Sequence, residues 1–515
     1  MAVLTLLGML SPPALAQEVK VTIGGLIDNL TNYNQNSNMN SSERNAPRGG
    51  ITDDDDTEWW SRTRGRWFIN AQRGKAKAVL GMEFDLIYGQ TGAADNPSGR
   101  PDGTSGGFDA DNDVRNTLEL KHMYVEFPFA GEGSLLPMVP YAGMARVGGQ
   151  PYKVTYKPFV FASSDFGGLN VDLAITPQAK AQFVYAQFEE SSTGFRDGFV
   201  RGDDIGLIFA VEVTPEKGLK VKPIYSYQSI QGNTSSNLRP GGGVGGLSNA
   251  AARFTHPVTG NLLQENRHTI GVDARWRSGP YWVYPTFFYQ FGDRERDNTD
   301  GIGPPGLREA DLRAWFLDIE AGYRTGPFKV EGRFVYTSGN EATDDLDDEV
   351  NYFQMFQSGN AYFIGWGEAH GIGLIDYLTA LNGFNNALSL PRRASFDRYG
   401  RVIASVRGTY SVTPALSVYG IVTPSWTAED VATRGTIASS GIVVTPAAAA
   451  AADETYLGTD LTAGLKWRFA PGLSFDYVFG VFLPGEAMDI ATVPGGLPQD
   501  ADEVLVTTAR VRYVF

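Results

Sequence analysis

Three arginines stand at alternate positions in one short stretch of the chain, Arg62, Arg64 and Arg66. In an extended strand, residues i and i+2 share a face and lie roughly 6.6–7 Å apart. Guanidinium groups at that spacing form a ladder, along which a carboxylate could pass from one set of donors to the next. The stretch that follows carries Glu83 and Asp85 in the same alternation, which gives the arginines a second use as braces of a wall. The two uses are compatible. An arginine has five donors, and one carboxylate need not occupy them all.

Such a ladder requires strands with two different faces. Trp67 and Ile69 alternate with the arginines, and Leu80, Met82, Phe84, Leu86 and Tyr88 alternate with the acids. The period of two recurs along the chain and closes it in EVLVTTARVRYVF, 503–515. There Leu505, Ala509, Val511, Tyr513 and Phe515 take one face, and Thr508, Arg510 and Arg512 the other. In order, the alternation predicts strands at 19–28, 59–72 and 77–90, then pairs at 116–129 and 137–148, 168–175 and 180–190, and 204–214 and 218–230. Further pairs follow at 267–277 and 281–292, 311–324 and 328–338, 398–410 and 415–427, and 456–469 and 473–483. With 503–515 the count is about eighteen, each strand about eleven to thirteen residues long.

The connections alternate in length. Within pairs they are tight and rich in Pro and Gly, as in TPQAK at 176–180, RSGP at 277–280 and APG at 470–472. Between pairs they are long and polar, the longest at 339–397. A soluble sandwich has no reason to place a short turn at every second connection. A membrane barrel has short turns on one rim and long loops on the other. Trp276, Trp282 and Trp467 near the short turns, and Trp59, Trp60, Trp315 and Trp426 near the long loops, suggest two aromatic belts. The expected fold is therefore all-β: a single transmembrane antiparallel up-and-down barrel.

Composition agrees. Aromatics make up 12% of the 515 residues and glycines number 61, as girdles and many turns require. There is no cysteine, which excludes disulfides, thiol chemistry and cysteine-ligated metals. A net charge of −15 disfavours nucleic acid as a partner. The opening MAVLTLLGMLSPPALAQ has an apolar run and the small-x-small site Ala14-Leu15-Ala16, so 1–16 reads as a secretory signal and 17–515 as the barrel. No Lys or Arg precedes Lys20, so the true start of that signal is expected upstream. No later stretch has the roughly 18 consecutive apolar residues of a membrane helix.

In these features, and in WWSRTRGRWF, LELKHMYVEF and the terminal RVRYVF, the chain resembles bacterial outer-membrane porins. It is most similar to the eighteen-stranded group that includes alginate-export-like barrels and carboxylate-selective porins. The resemblance covers 17–515 and is specific for architecture rather than for solute. It implies the outer membrane, with lipid and lipopolysaccharide outside and small anionic solutes within. It also implies that Phe515 is the signal read by the barrel-assembly machinery. A homo-oligomer is compatible with it.

With the apolar parity toward lipid, the lumen receives Arg62, Arg64, Arg66, Lys220, Lys222, Arg275, Arg277, Lys329, Arg333, Arg401, Arg407, Lys466, Arg468, Arg510 and Arg512. Against them stand Glu83, Asp85, Asp172, Asp273, Asp318, Glu320, Glu331 and Asp476. The wall is basic although the chain is acidic, and a basic wall favours anions. Two segments are candidates to narrow the bore: Gly148 to Gly167, with Lys153 and Lys157, and Gly371 to Leu388 in the longest loop. Asp53, Asp54, Asp55 and Asp56 are a weak divalent-cation candidate, more simply read as solvated loop charge, and their spacing is not that of an EF-hand. His122, His256, His268 and His370 suggest no metal pair, and no nucleophile or nucleotide motif has its required setting, so no enzyme and no cofactor is expected. The expected function is passive diffusion of small hydrophilic solutes, preferring anions or carboxylates. The rivals are a polysaccharide-export barrel and a sheath around an electron-transfer cytochrome.

Overall fold

In the computed structural model, residues 18–35, 57–88, 107–108, 118–157, 160–189, 204–231, 261–298, 306–341, 348–356, 366, 399–432, 436–438, 441–443, 452–488, 490–491, 498–499 and 503–515 are described. Eighteen strands form the wall. They are β1 (Lys20–Gln35), β2 (Thr57–Arg73), β3 (Ala76–Tyr88), β4 (Leu118–Ala130), β5 (Ala142–Lys153) and β6 (Ser163–Thr176). Next come β7 (Ala179–Glu189), β8 (Asp204–Glu216), β9 (Leu219–Gln231), β10 (Asn261–Ser278), β11 (Tyr281–Asn298) and β12 (Gly306–Thr325). The last six are β13 (Phe328–Thr337), β14 (Arg401–Ser411), β15 (Leu416–Ala432), β16 (Ala452–Ala470), β17 (Leu473–Pro484) and β18 (Val504–Val514). Each pairs antiparallel with the next, and β18 pairs with β1 from Leu26↔Val514 to Gln35↔Leu505. The sheet is closed.

Closure answers the demand of a lipid environment, where an unpaired backbone group costs several kcal/mol. The outer parity is apolar: Ile23, Ile27, Val211, Phe287, Val330, Val422 and Phe479 are all exposed. At the short-turn rim an aromatic girdle holds Tyr281 against Tyr323 at 4.9 Å, Phe328 against Tyr410 at 4.8 Å and Tyr513 against Phe515 at 5.8 Å. Exposed Trp276 and Trp467 join it, with Trp59 and Trp315 toward the long loops. This is the architecture of a bacterial outer-membrane barrel. Trp282 departs from the expected belt. It shares the lumenal parity of Tyr284 and Thr286 and covers Gly322, where a Cβ would stand 2.0 Å from its ring.

Three expectations need correction. The strands run from 10 to 20 residues, because several continue past the lipid belt on the long-loop side. Accordingly, β1 continues beyond Asp28 to Gln35, pairing with β2 to Thr57. The fifth strand lies at Ala142–Lys153 rather than 137–148, so connection 131–141 is not tight. Gly131 and Gly133 adopt positive φ there, and Pro137 and Pro140 have no N–H with which to continue a ladder. The signal segment, Asp53 to Asp56 and Gly371 to Leu388 lie outside the described residues.

The seam between the chain ends relies on Gly25. Its N–H donates to the Phe515 carbonyl at 3.0 Å, and the Phe515 N–H donates to the Gly25 carbonyl at 3.1 Å. A Cβ at position 25 would fall 2.1 Å from the Arg66 carbonyl oxygen and 3.1 Å from the Phe515 ring. Gly25→Val should therefore loosen the seam by about 1–3 kcal/mol, as overpacking does. Gly408→Val is the control, since a Cβ there meets nothing within 4 Å. Urea unfolding in lipid vesicles should show a lower midpoint for the first variant only; equal midpoints would rule out this account of the seam.

Candidate functional site

The lumen is a charged interior rather than an empty tube. Arg62 and Arg64 are 5% and 3% exposed and point inward with Arg66. Arg62 lies 3.7 Å from Asp28, and Arg64 lies 3.6 Å from Glu83. The Arg66 Nε donates to Glu83, and Lys121 approaches the same carboxylate at 3.5 Å. The ladder is thus braced, through Glu83 as expected and through Asp28, which also accepts from Arg512 at 2.6 and 3.2 Å. Asp28 sits on β1, opposite Arg64 on one side and Arg512 on the other. That cross-strand register is invisible in sequence. Asp85 stands opposite Arg64 in the β2–β3 ladder.

Several other wall cations are held by carboxylates too, and others by backbone carbonyls. Arg333 forks onto Asp318 at 2.6 and 3.1 Å, and Arg510 onto Asp476 at 2.8 and 3.1 Å. Arg407 donates to Glu331 at 2.7 Å and lies 4.1 Å over the Trp366 ring. Arg401 is fully buried and donates to the Gly400 carbonyl at 3.0 Å. Lys466 stands opposite Asp476 in the β16–β17 register. Arg468 is exposed at the rim, where it donates to the Pro414 carbonyl at 2.9 Å and caps the turn after β14.

Two inward-folding segments occupy one side of the lumen: the described residues 154–157 and 160–162 after β5, and 348–356 after β13. Val154, Val160, Phe161 and Ala162 from the first meet Phe353, Met355 and Phe356 from the second. Both pack on lumenal Phe166, Val184, Ile208, Ile224, Phe288, Phe316, Val335 and Ile403. Phe161 has a positive φ of 59°, a costly backbone for a bulky residue, and its ring lies tilted against Phe288 with centres 4.6 Å apart. Among the described residues of the candidate segment 148–167, the contacts inside the barrel are therefore partly apolar. In the long connection it is 348–356 that folds in among the described residues. The inner wall residues that receive these segments are apolar on the lumenal parity, which a rule of polar lumen faces overlooks.

Polar anchors fix both segments. Lys157, 4% exposed, donates to the carbonyls of Tyr284 at 2.6 Å and Asp318 at 2.8 Å and lies 3.4 Å from the Asp318 carboxylate. Burial lowers its ammonium pKa, and Asp318 opposes that shift. Tyr156 donates its hydroxyl to Glu212 at 2.9 Å and its N–H to Asp273 at 2.6 Å. Burial, then Glu212, pushes its phenol pKa well up. Lys153, by contrast, is exposed and reaches only the Tyr156 carbonyl, at 3.4 Å. Segment 348–356 is held by a cluster the sequence reading missed: Glu265, Arg267 and Arg294. Arg267 donates to the Met355 carbonyl and to Gln354, and Arg294 to the Tyr352 hydroxyl. Glu265 binds both arginines, while Gln290 and Gln354 exchange two further hydrogen bonds. Parity alone could have found Arg267, two steps beyond Thr269 on the face of Asp273.

Glu83 gathers three cations, so its loss should cost more than the loss of any one of them. Glu83→Gln would leave Arg64 buried without this carboxylate, a change worth about 3 kcal/mol in buried pairs. Arg66→Gln should cost clearly less, because Arg64 and Lys121 continue to neutralise Glu83. Urea midpoints of the two variants in vesicles check the order, and a reversed order would contradict Glu83 as the hub.

No family model matches the chain, and no curated protein matches it. Among solved structures it is similar to Pseudomonas aeruginosa OccK5 (OpdH), at 10% identity and a TM-score of 0.46, over 96% of this chain and 98% of that one. It is similar to Acinetobacter baumannii OccAB4 at 9% identity and a TM-score of 0.47, over 97% and 99%. A BenF-like porin from Pseudomonas fluorescens Pf-5 gives 8% and 0.46, over 96% and 98%. The architecture stands on the strand pairing itself and not on these likenesses.

Proposed function

We propose that the chain is an outer-membrane channel for passive diffusion of small hydrophilic solutes, with a preference for anions, carboxylates among them. One observation supports the preference above the rest. Among the described residues, seven inward carboxylates share fifteen cations: Asp28, Glu83, Glu126, Glu212, Glu265, Asp318 and Glu331, each with two or three. Bracing therefore leaves the wall positive, because each carboxylate neutralises only part of the charge around it. Asp172, Asp204, Asp273, Glu320 and Asp460 return some negative charge, and Arg275, Arg277 and Arg401 add positive charge. A positive wall in a narrow passage concentrates anions.

The test is a reversal potential across planar bilayers under a salt gradient. At about 0.01 M salt the Debye length is about 30 Å and the wall charge reaches across a bore. Anion permeability should exceed cation permeability there, and the ratio should fall toward one at 1 M. The triple change Arg62→Gln, Arg64→Gln, Arg66→Gln should lower the ratio at low salt by removing three of those cations. An unchanged ratio would remove these arginines from the transport role, and no conductance from the wild type would point to a sheath or export part.

The reading extends to biogenesis, with Phe515 as the residue read by the assembly machinery. Its exposed ring and its two backbone bonds to Gly25 at the closing seam support that role. Deleting Phe515 should reduce the barrel recovered from outer membranes several-fold. The same variant refolded in vitro should stay near wild-type stability, since one of many strand residues is lost. Wild-type levels in membranes would refute the signal.

A further inference from the structure

Two arginines of the lumenal wall differ from the rest. Arg275 and Arg277, at the short-turn end of β10, lie on tyrosine rings rather than against carboxylates. The Arg275 guanidinium is 5.3 Å from the centre of the Tyr156 ring, and the Arg277 guanidinium is 5.2 Å from that of Tyr284. The Arg277 Nε also donates to the Tyr284 hydroxyl. Among the described residues neither makes an ion pair, whereas Lys157, Lys220, Lys329, Arg333 and Arg407 in this wall region do. A guanidinium lying on an aromatic face is held in position while its N–H edge stays available to a carboxylate.

The surroundings explain why the acids nearby do not take these edges. Asp273, two residues from Arg275, accepts from the Tyr156 N–H at 2.6 Å and from Thr286 at 2.7 Å. Glu212 is engaged by Lys220 at 2.6 Å, by the Tyr156 hydroxyl at 2.9 Å and by Lys222 at 3.9 Å. Lys222 in turn lies 4.7 Å from the centre of the Tyr156 ring and donates to the Val154 carbonyl at 2.9 Å. Tyr156 and Tyr284 are both tied to the inward segment, since Lys157 donates to the Tyr284 carbonyl at 2.6 Å. The platform is therefore rigid, and it stands where the constriction meets the short-turn mouth.

We infer that Arg275 and Arg277 form a docking site for a dianion, a dicarboxylate whose two charges span adjacent rungs, at the short-turn mouth of the lumen. Their Cα atoms lie roughly 6.6–7 Å apart on one strand face, which suits two carboxylates on one short chain better than a single one. A monocarboxylate engages one rung only. The site rests on the reading of the chain as an anion channel and gives it a charge class and a side. A solute crossing the constriction would be met there by donors that no internal carboxylate occupies.

Binding is measured on the detergent-purified barrel by calorimetry, with adipate as the dianion and acetate as the monoanion, so that the result does not depend on conductance. Adipate should bind at least about tenfold more tightly than acetate. The double variant Arg275→Gln, Arg277→Gln should lose most of that difference, while Arg468→Gln, on β16 at the same rim and six strands away, should keep it. In bilayers, adipate added on the short-turn side should reduce the current of the wild type at lower concentration than of the double variant. Equal binding of adipate and acetate, or equal adipate binding by wild type and double variant, would overturn the site. A wild type that is anion-selective with either of those results refutes the site and spares the channel. Adipate binding lost in the double variant, with no conductance in either protein, spares the site and refutes the channel.

Discussion

Everything in this molecule depends on the backbone pairing of the first strand with the last. A membrane offers no water to an open sheet edge, so a strand left unpaired at either end would expose a row of N–H and C=O groups to hydrocarbon. Pairing β1 with β18 removes both edges at once. The fit of the join follows from small details: Gly25 lets the Arg66 carbonyl and the Phe515 ring approach closely, and Phe515 completes the ladder with two backbone bonds. With the ring closed, alternation along every strand sends one set of side chains to lipid and the other to the interior.

The interior then faces an electrostatic problem of its own. Charges taken out of bulk water are costly unless they are paired and hydrogen-bonded. The wall meets this by sharing. Glu83 serves Arg64, Arg66 and Lys121, and Asp28 serves Arg62 and Arg512 across three strands. Sharing stiffens the wall and leaves these carboxylates outnumbered by cations, and the proposed anion preference rests on that same arrangement. The stiffness extends to the segments inside, where Lys157 and Arg267 donate to backbone carbonyls and so hold chain that has no ladder of its own.

Apolar packing does the remaining work. Phe161, Phe353 and Phe356 meet lumenal Phe288 and Phe316, forming a hydrophobic core inside a barrel whose outside is also hydrophobic. Here the inward positions of β7 to β14 change character along the strand. Charges such as Glu331 and Arg407 lie toward the short turns, apolar residues such as Val335 and Ile403 lie above them, and the Glu265, Arg267 and Arg294 cluster lies toward the long loops. The inward segments are seated by this change.

Much of this was legible in the residue order because the governing rules are local. Period-two alternation, Pro- and Gly-rich reversals and alternating connection lengths each act over a few residues, and they predict all eighteen strands in their places, with the fifth displaced by its long glycine- and proline-bearing turn. The inward parity of Arg62, Arg64 and Arg66 follows from the same rule. What the residue order could not reveal is which strands meet across distance. Asp28 becomes the partner of Arg512 only because ring closure brings residues 484 positions apart into one register. Arg267 gains the Met355 carbonyl only because segment 348–356 folds inward, 88 positions along the chain. Alternation decides which face a side chain takes, since it is a property of the strand. The partner it finds there depends on closure and on the folding-in of loops, which are properties of the whole barrel.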